Sequence, residues 1–260
     1  MNYLIDAHSH LDHSLMINKI DEVIKRAENA GLKHVITNGI NPSTNRICLN
    51  LSKKYDIVEC GMGIYPRNAL KKEIETGDYP IKTENFGIDE EIDFIAKNQN
   101  SIVAISEVGL DFVDGEDDQQ IEDFQKMIGL SEKLSKPIVV HSRKAESKCI
   151  ELLESSKNKK IVMHCFSGKK QLVKRIADNG WFLTVPTIIV RSFQFQDIAK
   201  NVPITQLFCE TDSPYMSPYK GQPNEPAYVI ESYNKIAEIK NMDLNEVANN
   251  IYMNWQRVFK

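Results

Sequence analysis

Tyr3-Leu4-Ile5-Asp6-Ala7-His8-Ser9-His10 begins as an apolar run and ends in two histidines two residues apart. Successive side chains on a strand point to opposite faces, so residues two apart share a face. If the strand at about 3–8 continues, His8 and His10 converge on one point; on a helix they would splay roughly 200° apart. Two imidazoles converging from one short segment suit a divalent metal ion. A His-x-His pair also occurs without any metal, so its meaning depends on what the other strands contribute.

Working outward, strand-like runs alternate with helix-like segments along the whole chain. The further strands are expected at 34–38, 57–64, 102–105 running on into 106–111, 138–141, 161–164, 181–185 and 206–210. Between them the spacing predicts helices at about 18–30, 42–54, 88–98, 119–135, 145–156, 168–179 and 192–200, then 226–239 and 244–258. Ile20, Val23, Ile24 and Ala27 fall at i, i+3, i+4 and i+7, and Gly31 is placed to stop that helix. Asp243 with Glu246 reads as a capping box for the last helix. The polar stretch 66–86, with Pro66, Gly77 and Pro80, is the least regular part of the chain and reads as a loop that can carry short helical pieces. Eight strands, each followed by a helix, point to an α/β protein of the (β/α)8 TIM-barrel class, one domain over residues 1–260. The alternative, a doubly wound sheet, would open on a glycine-rich first turn, which Asp6-Ala7-His8-Ser9-His10 is not.

The 260 residues are 42% hydrophobic and 26% charged, as expected for a globular chain with a large core. A net charge of −4 gives no global attraction for nucleic acid, so phosphate binding has to be local or metal-mediated. No apolar run is long enough to cross a bilayer. The first residues do not read as a signal peptide. Cys48, Cys60, Cys149, Cys165 and Cys209 are odd in number and form no Cys-x-x-Cys pair. Free thiols in a cytoplasmic protein are the expectation.

Residues of ligand type recur at the strand ends. Glu107 follows strand four, His141 ends strand five, His164 ends strand six, and Asp212 follows strand eight. In a barrel these positions share the C-terminal rim, where barrel active sites lie. His13, in the first loop, and His34, at the entry of strand two, fall outside the set. Six ligands are too many for one tetrahedral ion and enough for two ions sharing a carboxylate. His8 and His10 would hold one ion with Asp212, His141 and His164 the other, and Glu107 would bridge. Glu107 and Asp212 are then the catalytic carboxylates, with Asp212 placed to orient a water or take its proton. Four imidazoles favour Zn²⁺ or Mn²⁺ over Mg²⁺.

The segments DAHSHLD (6–12), SEVGLD (106–111), PIVVHSRKA (137–145), HCFSG (164–168), ETDSPY (210–215) and NEPAYV (224–229) resemble, in order, the metal-dependent hydrolases of the TatD deoxyribonuclease type, within the amidohydrolase-like barrels. The resemblance implies a two-metal barrel nuclease, usually Mg²⁺-dependent, that removes nucleotides from DNA ends, and it assigns the same six ligands. Two positions depart from the family pattern. Where the family commonly has Gly-x-His-Pro-His, this chain has Gly63-Ile64-Tyr65-Pro66-Arg67, and Pro223 stands where Arg commonly precedes Asn-Glu-Pro. Arg143 matches the family's His-Ser-Arg and is a phosphate-binding candidate, because a guanidinium grips two oxygens at once. Arg67 and Tyr65 are further substrate contacts. Single-stranded DNA ends would suit a rim pocket in which Tyr65, Phe112, Phe166 or Tyr215 stack on bases. Competing readings are hydrolysis of an amide, lactone or ester by a similar two-metal set, and a barrel that has lost catalysis and serves as a binding partner.

Overall fold

Eight parallel strands lie side by side in sequence order in the structure, a computed structural model that describes residues 3–260. They are β1 (Leu4–Ser9), β2 (Leu32–Gly39), β3 (Val58–Met62), β4 (Ala104–Gly109), β5 (Ile138–His141), β6 (Ile161–Met163), β7 (Phe182–Pro186) and β8 (Leu207–Glu210). The barrel closes where β8 returns to β1. Asp212 N donates to the His8 carbonyl and His10 N to the Ser213 carbonyl, both at 2.9 Å. This seam sets Asp212 beside the two first-strand histidines. The (β/α)8 barrel expected from the alternating pattern is therefore the fold.

Helices α1 (Ser14–Ile17), α2 (Ile20–Asn29), α3 (Pro42–Lys54), α4 (Arg67–Thr76), α5 (Ile88–Lys97), α6 (Asp118–Leu134), α7 (Glu146–Glu154), α8 (Lys170–Asp178), α9 (Phe193–Asn201), α10 (Ile230–Lys240) and α11 (Leu244–Phe259) lie between or after the strands. The main core includes strand residues and inward helix faces, among them Phe124 of α6, Tyr233 of α10 and Trp255 of α11. The Tyr233 hydroxyl both accepts from Ile5 N and donates to Ile5 O, each at 3.0 Å, and so pins β1 to α10.

Three local expectations are corrected. The stretch 66–86 contains a ten-residue helix, α4, after Pro66 and ended by Gly77 at φ 81°. Ala69 and Leu70 are its buried residues. Lysines and glutamates around them hid so narrow an apolar stripe. Asp243 caps its helix without the box, accepting from Asn245 N at 2.8 Å, one residue before Glu246. A reciprocal box stands instead at α3, where Asn41 accepts from Thr44 N and Thr44 Oγ1 from Asn41 N, both at 3.0 Å. Phe166 is fully buried in the core, so it offers no face to a base. A side chain at Gly168 would strike its ring, 2.5 Å away.

Among the described residues, no helix is long and apolar enough to cross a membrane. His34 stacks on Trp255 with ring centroids 3.7 Å apart. His13 caps α1, accepting from Leu15 N at 3.2 Å. Both histidines thus have partners away from the strand-end cluster.

Candidate metal centre

The strand ends bring His8, His10, Glu107, His141, His164 and Asp212 to one place at the C-terminal mouth of the barrel. β1 is buried along its whole length, and alternation turns His8 inward. His10 lies just past its end, and the β1–β8 seam holds the backbone there. Glu107 lies within β4, two residues inside its end, so its carboxylate rises into the cluster from the barrel interior.

The Glu107 carboxylate divides its oxygens between two pairs of imidazoles. Oε2 lies 3.4 Å from His8 Nε2 and 3.5 Å from His10 Nε2. Oε1 lies 3.1 Å from His141 Nδ1 and 3.3 Å from His164 Nε2. Asp212 Oδ1 stands 3.8 Å from His8 Nε2 and 3.6 Å from His10 Nε2. The two facing nitrogens, His8 Nε2 and His10 Nε2, are 3.3 Å apart. Two ligands each about 2.1 Å from a shared tetrahedral ion are about 3.4 Å from one another. The observed separations around His8, His10 and Glu107 have that size.

The outer nitrogens of three rings fix which nitrogen faces inward. His10 Nδ1 is 3.3 Å from the Asn38 carbonyl, His164 Nδ1 is 3.3 Å from Glu210 Oε2, and His141 Nε2 is 3.0 Å from Asp111 Oδ2. A ring N–H donating outward leaves the inward nitrogen a lone pair. Lone pairs and carboxylate oxygens then face each other at hydrogen-bond distance, an arrangement that a cation resolves. The donor set therefore fits metal binding, and two clusters, His8–His10–Glu107 and Glu107–His141–His164, share the glutamate. A third possible cluster, His8–His164–Glu210, uses a residue to which the sequence reading gave no role.

Without a cation, protons take its place. Burial pulls His10 down, but hydrogen bonding to Asp212 and the charges of Glu107 and Asp212 prevail and raise it to about 9. His164 is likewise raised, because Glu210 and Glu107 outweigh its burial. Glu107 is held well below the usual carboxylate range: burial opposes this, but the His164 charge and hydrogen bonds from His141, His164 and His8 overcome it. His8 is lowered, by burial and then by the charge of His164.

His10, Glu107, His141, His164 and Asp212 line a cavity of about 920 Å³, with His8 buried beneath them. Tyr65 and Arg143 are on its wall. The Tyr65 hydroxyl is 3.3 Å from His141 Nε2, and Arg143 Nε donates to Asp111 Oδ2 at 2.6 Å. Tyr215 also lines this cavity, whereas Phe112 does not. Arg67 lies outside the lining; it pairs with Asp123 at 2.8 Å and borders a smaller adjoining cleft. Asp114, Glu116, Asp117 and Asp118, which follow β4, form part of the cavity mouth. Asp111 and Glu210 lie inside the quoted motifs, yet their contacts with His141 and His164 show only in the orientation of those rings. Glu73 of α4, which donors from Tyr65 and Arg143 reach at 3.2 and 2.9 Å, had no signal in the sequence.

The fold agrees with the comparisons to known proteins. The family model described as TatD related DNase matches residues 5–260. An uncharacterized metal-dependent hydrolase of Methanocaldococcus jannaschii is 33% identical over 256 residues, covering 98% of this chain and 96% of that protein. The human protein named Deoxyribonuclease TATDN3 is 29% identical over 264 residues, covering 98% and 94%. Among solved structures, the TatD homolog YJJV of Escherichia coli superposes with a TM-score of 0.85 at 23% identity, covering 98% of this chain and 97% of that one. With a family match over nearly its whole length and a metal-ligand cluster at the barrel mouth, the chain belongs to the TatD family of metal-dependent hydrolases.

Proposed function

We propose that the chain is a two-metal phosphodiesterase acting on the ends of DNA strands. The observation that carries the two-metal reading is the split of the Glu107 oxygens between His8 with His10 and His141 with His164. A carboxylate serving one ion has no need of a second imidazole pair on its other oxygen. In this reading His8, His10 and Asp212 would hold one ion and His141 and His164 the other, with Glu107 serving both. Divalent ions bound there would supply an acidified water and positive charge facing the phosphoryl oxygens. The ion type is Zn²⁺ or Mn²⁺ by ligand chemistry, with Mg²⁺ the family expectation.

The chain's own residues do the rest. Asp212 borders the cavity and takes the proton of the attacking water at its carboxylate. Arg143 binds a phosphate of the substrate, and Tyr65 and Tyr215 give apolar faces to a terminal base. Glu210 and Asp111 keep the ligand nitrogens of His164 and His141 turned inward. Arg67, beyond the cavity, is an outer contact for a longer strand. A single-stranded end entering the cavity meets repulsion from the acidic mouth, which Arg143 and bound divalent ions have to offset. The DNA reading is supported by the name of the human relative and by Arg143 on the cavity wall.

That acidic mouth favours a second reading, hydrolysis of an uncharged amide, lactone or ester. Purified protein loaded with single metals, offered a 5′-labelled oligonucleotide and a panel of lactones and amides, separates the two. Turnover of the oligonucleotide, lost in Asp212→Asn, supports the proposal. Turnover of the carbon substrates alone overturns it.

A further inference from the structure

The strongest unassigned feature of the cavity wall is a carboxylate in the position that a substrate anion would take. Glu73 Oε1 receives two donors at once, the Arg143 guanidinium through Nη2 at 2.9 Å and the Tyr65 hydroxyl at 3.2 Å. Arg143 is already bound at Nε by the buried Asp111, at 2.6 Å. Its positive charge is therefore shared between two carboxylates, one fixed in the barrel and one on α4. A single oxygen gripped by a guanidinium and a hydroxyl is also how a phosphate oxygen would be held.

The two carboxylates differ in how firmly they are placed. Asp111 Oδ1 accepts from Val113 N at 3.1 Å, and its Oδ2 faces His141. Glu73 rides on a helix whose buried contacts are few. Ala69 and Leu70 pack in a small cluster with Ile40, Tyr65 and Tyr79, separate from the main core. Polar ties hold α4 elsewhere: Arg67 at its start pairs with Asp123 of α6, and Lys72 with Asp114 and Asn68 with Asp117 are surface pairs. Segments with little buried apolar contact are the ones that shift at low cost.

We propose that Glu73 is a placeholder in an anion subsite beside the metal centre. Its carboxylate fills the position between Arg143 and Tyr65, and a phosphate group of the substrate enters by displacing it. The subsite takes a phosphate adjacent to the scissile one, so it recognises a strand carrying more than one phosphate. Affinity for such substrates is set by competition with Glu73. This rests on the phosphodiester reading above.

Calorimetric titration of inorganic phosphate into the metal-loaded protein tests the inference. Four proteins are compared: wild type, Glu73→Gln, Arg143→Ala and the double variant. Glutamine keeps an acceptor oxygen for both donors but carries no charge, so the wall stays formed. Glu73→Gln is expected to tighten phosphate binding roughly three- to tenfold, the worth of one partly buried ion pair. In the Arg143→Ala background the same substitution is expected to change nothing. Unchanged, weaker or undetectable phosphate binding in Glu73→Gln overturns the proposal. So does a gain that survives without Arg143, since that would be general charge relief. A parallel assay with the 5′-labelled oligonucleotide keeps the two inferences apart, because absent turnover by metal-loaded wild type refutes phosphodiester chemistry whatever the titration shows.

Discussion

Replacing Asp111 by asparagine should cost the protein one ion and spare the other. Asp111 Oδ2 faces His141 Nε2 at 3.0 Å and accepts from Arg143 Nε at 2.6 Å, while Oδ1 accepts from Val113 N at 3.1 Å. All three neighbours are donors when His141 carries its proton on Nε2. An asparagine cannot serve them all. With its oxygen toward Val113, its amide N–H groups face two donors; turned round, they face the Val113 N–H. The histidine responds by moving its proton to Nδ1, the nitrogen 3.1 Å from Glu107 Oε1, which is then lost as a ligand. Disrupting such an orienting contact typically weakens metal affinity 10–100-fold, about 1.4–2.7 kcal/mol. The Tyr65 hydroxyl, 3.3 Å from the same nitrogen, is a partial substitute acceptor, so adding Tyr65→Phe should deepen the loss. Competition against a fluorescent chelator resolves the two ions by affinity. One weak and one unaltered site is the expected outcome. Two unaltered sites, or equal weakening of both, would refute the reasoning.

Other perturbations have equally definite outcomes. Because His10 is raised to about 9 in the ion-free cluster, it is protonated at neutral pH and metal binding must expel that proton. Apparent metal affinity should therefore rise with pH from neutrality toward about 9, and calorimetry in buffers of different ionisation enthalpy should register proton release. Tyr233→Phe removes both hydrogen bonds to Ile5 and should destabilise the fold by about 1–3 kcal/mol, read as a lower urea midpoint. Arg143→Ala should raise KM for a short oligonucleotide at least several-fold. Arg67→Ala should leave that KM within about twofold, since its partner is Asp123 outside the cavity, and should act only on longer strands.

The barrel and the six clustered residues were legible in the sequence for one physical reason. A parallel barrel forces every strand to end on the same rim, so His8, His10, His141, His164 and Asp212 needed only their positions along strands to be brought together. Glu107 was legible as a member, but not as a residue within β4. What failed to show depends on directions rather than positions. Asp111 and Glu210 matter because of which ring nitrogen turns toward them, and no spacing encodes that. Glu73 reaches the site only because α4 folds back over the mouth, on an apolar stripe of little more than Ala69 and Leu70. Phe166 illustrates the opposite error: an aromatic two residues from His164 reads as a stacking face, yet its complete burial makes it packing.

The central claim is that Glu107 joins two ions in one centre. Elemental analysis of the metal-reconstituted protein, wild type beside Glu107→Ala, tests it most directly. Two ions per wild-type chain, with Glu107→Ala retaining fewer than one and turning over no phosphodiester, is the predicted result. One ion per wild-type chain, or an unchanged metal content in Glu107→Ala, would contradict it.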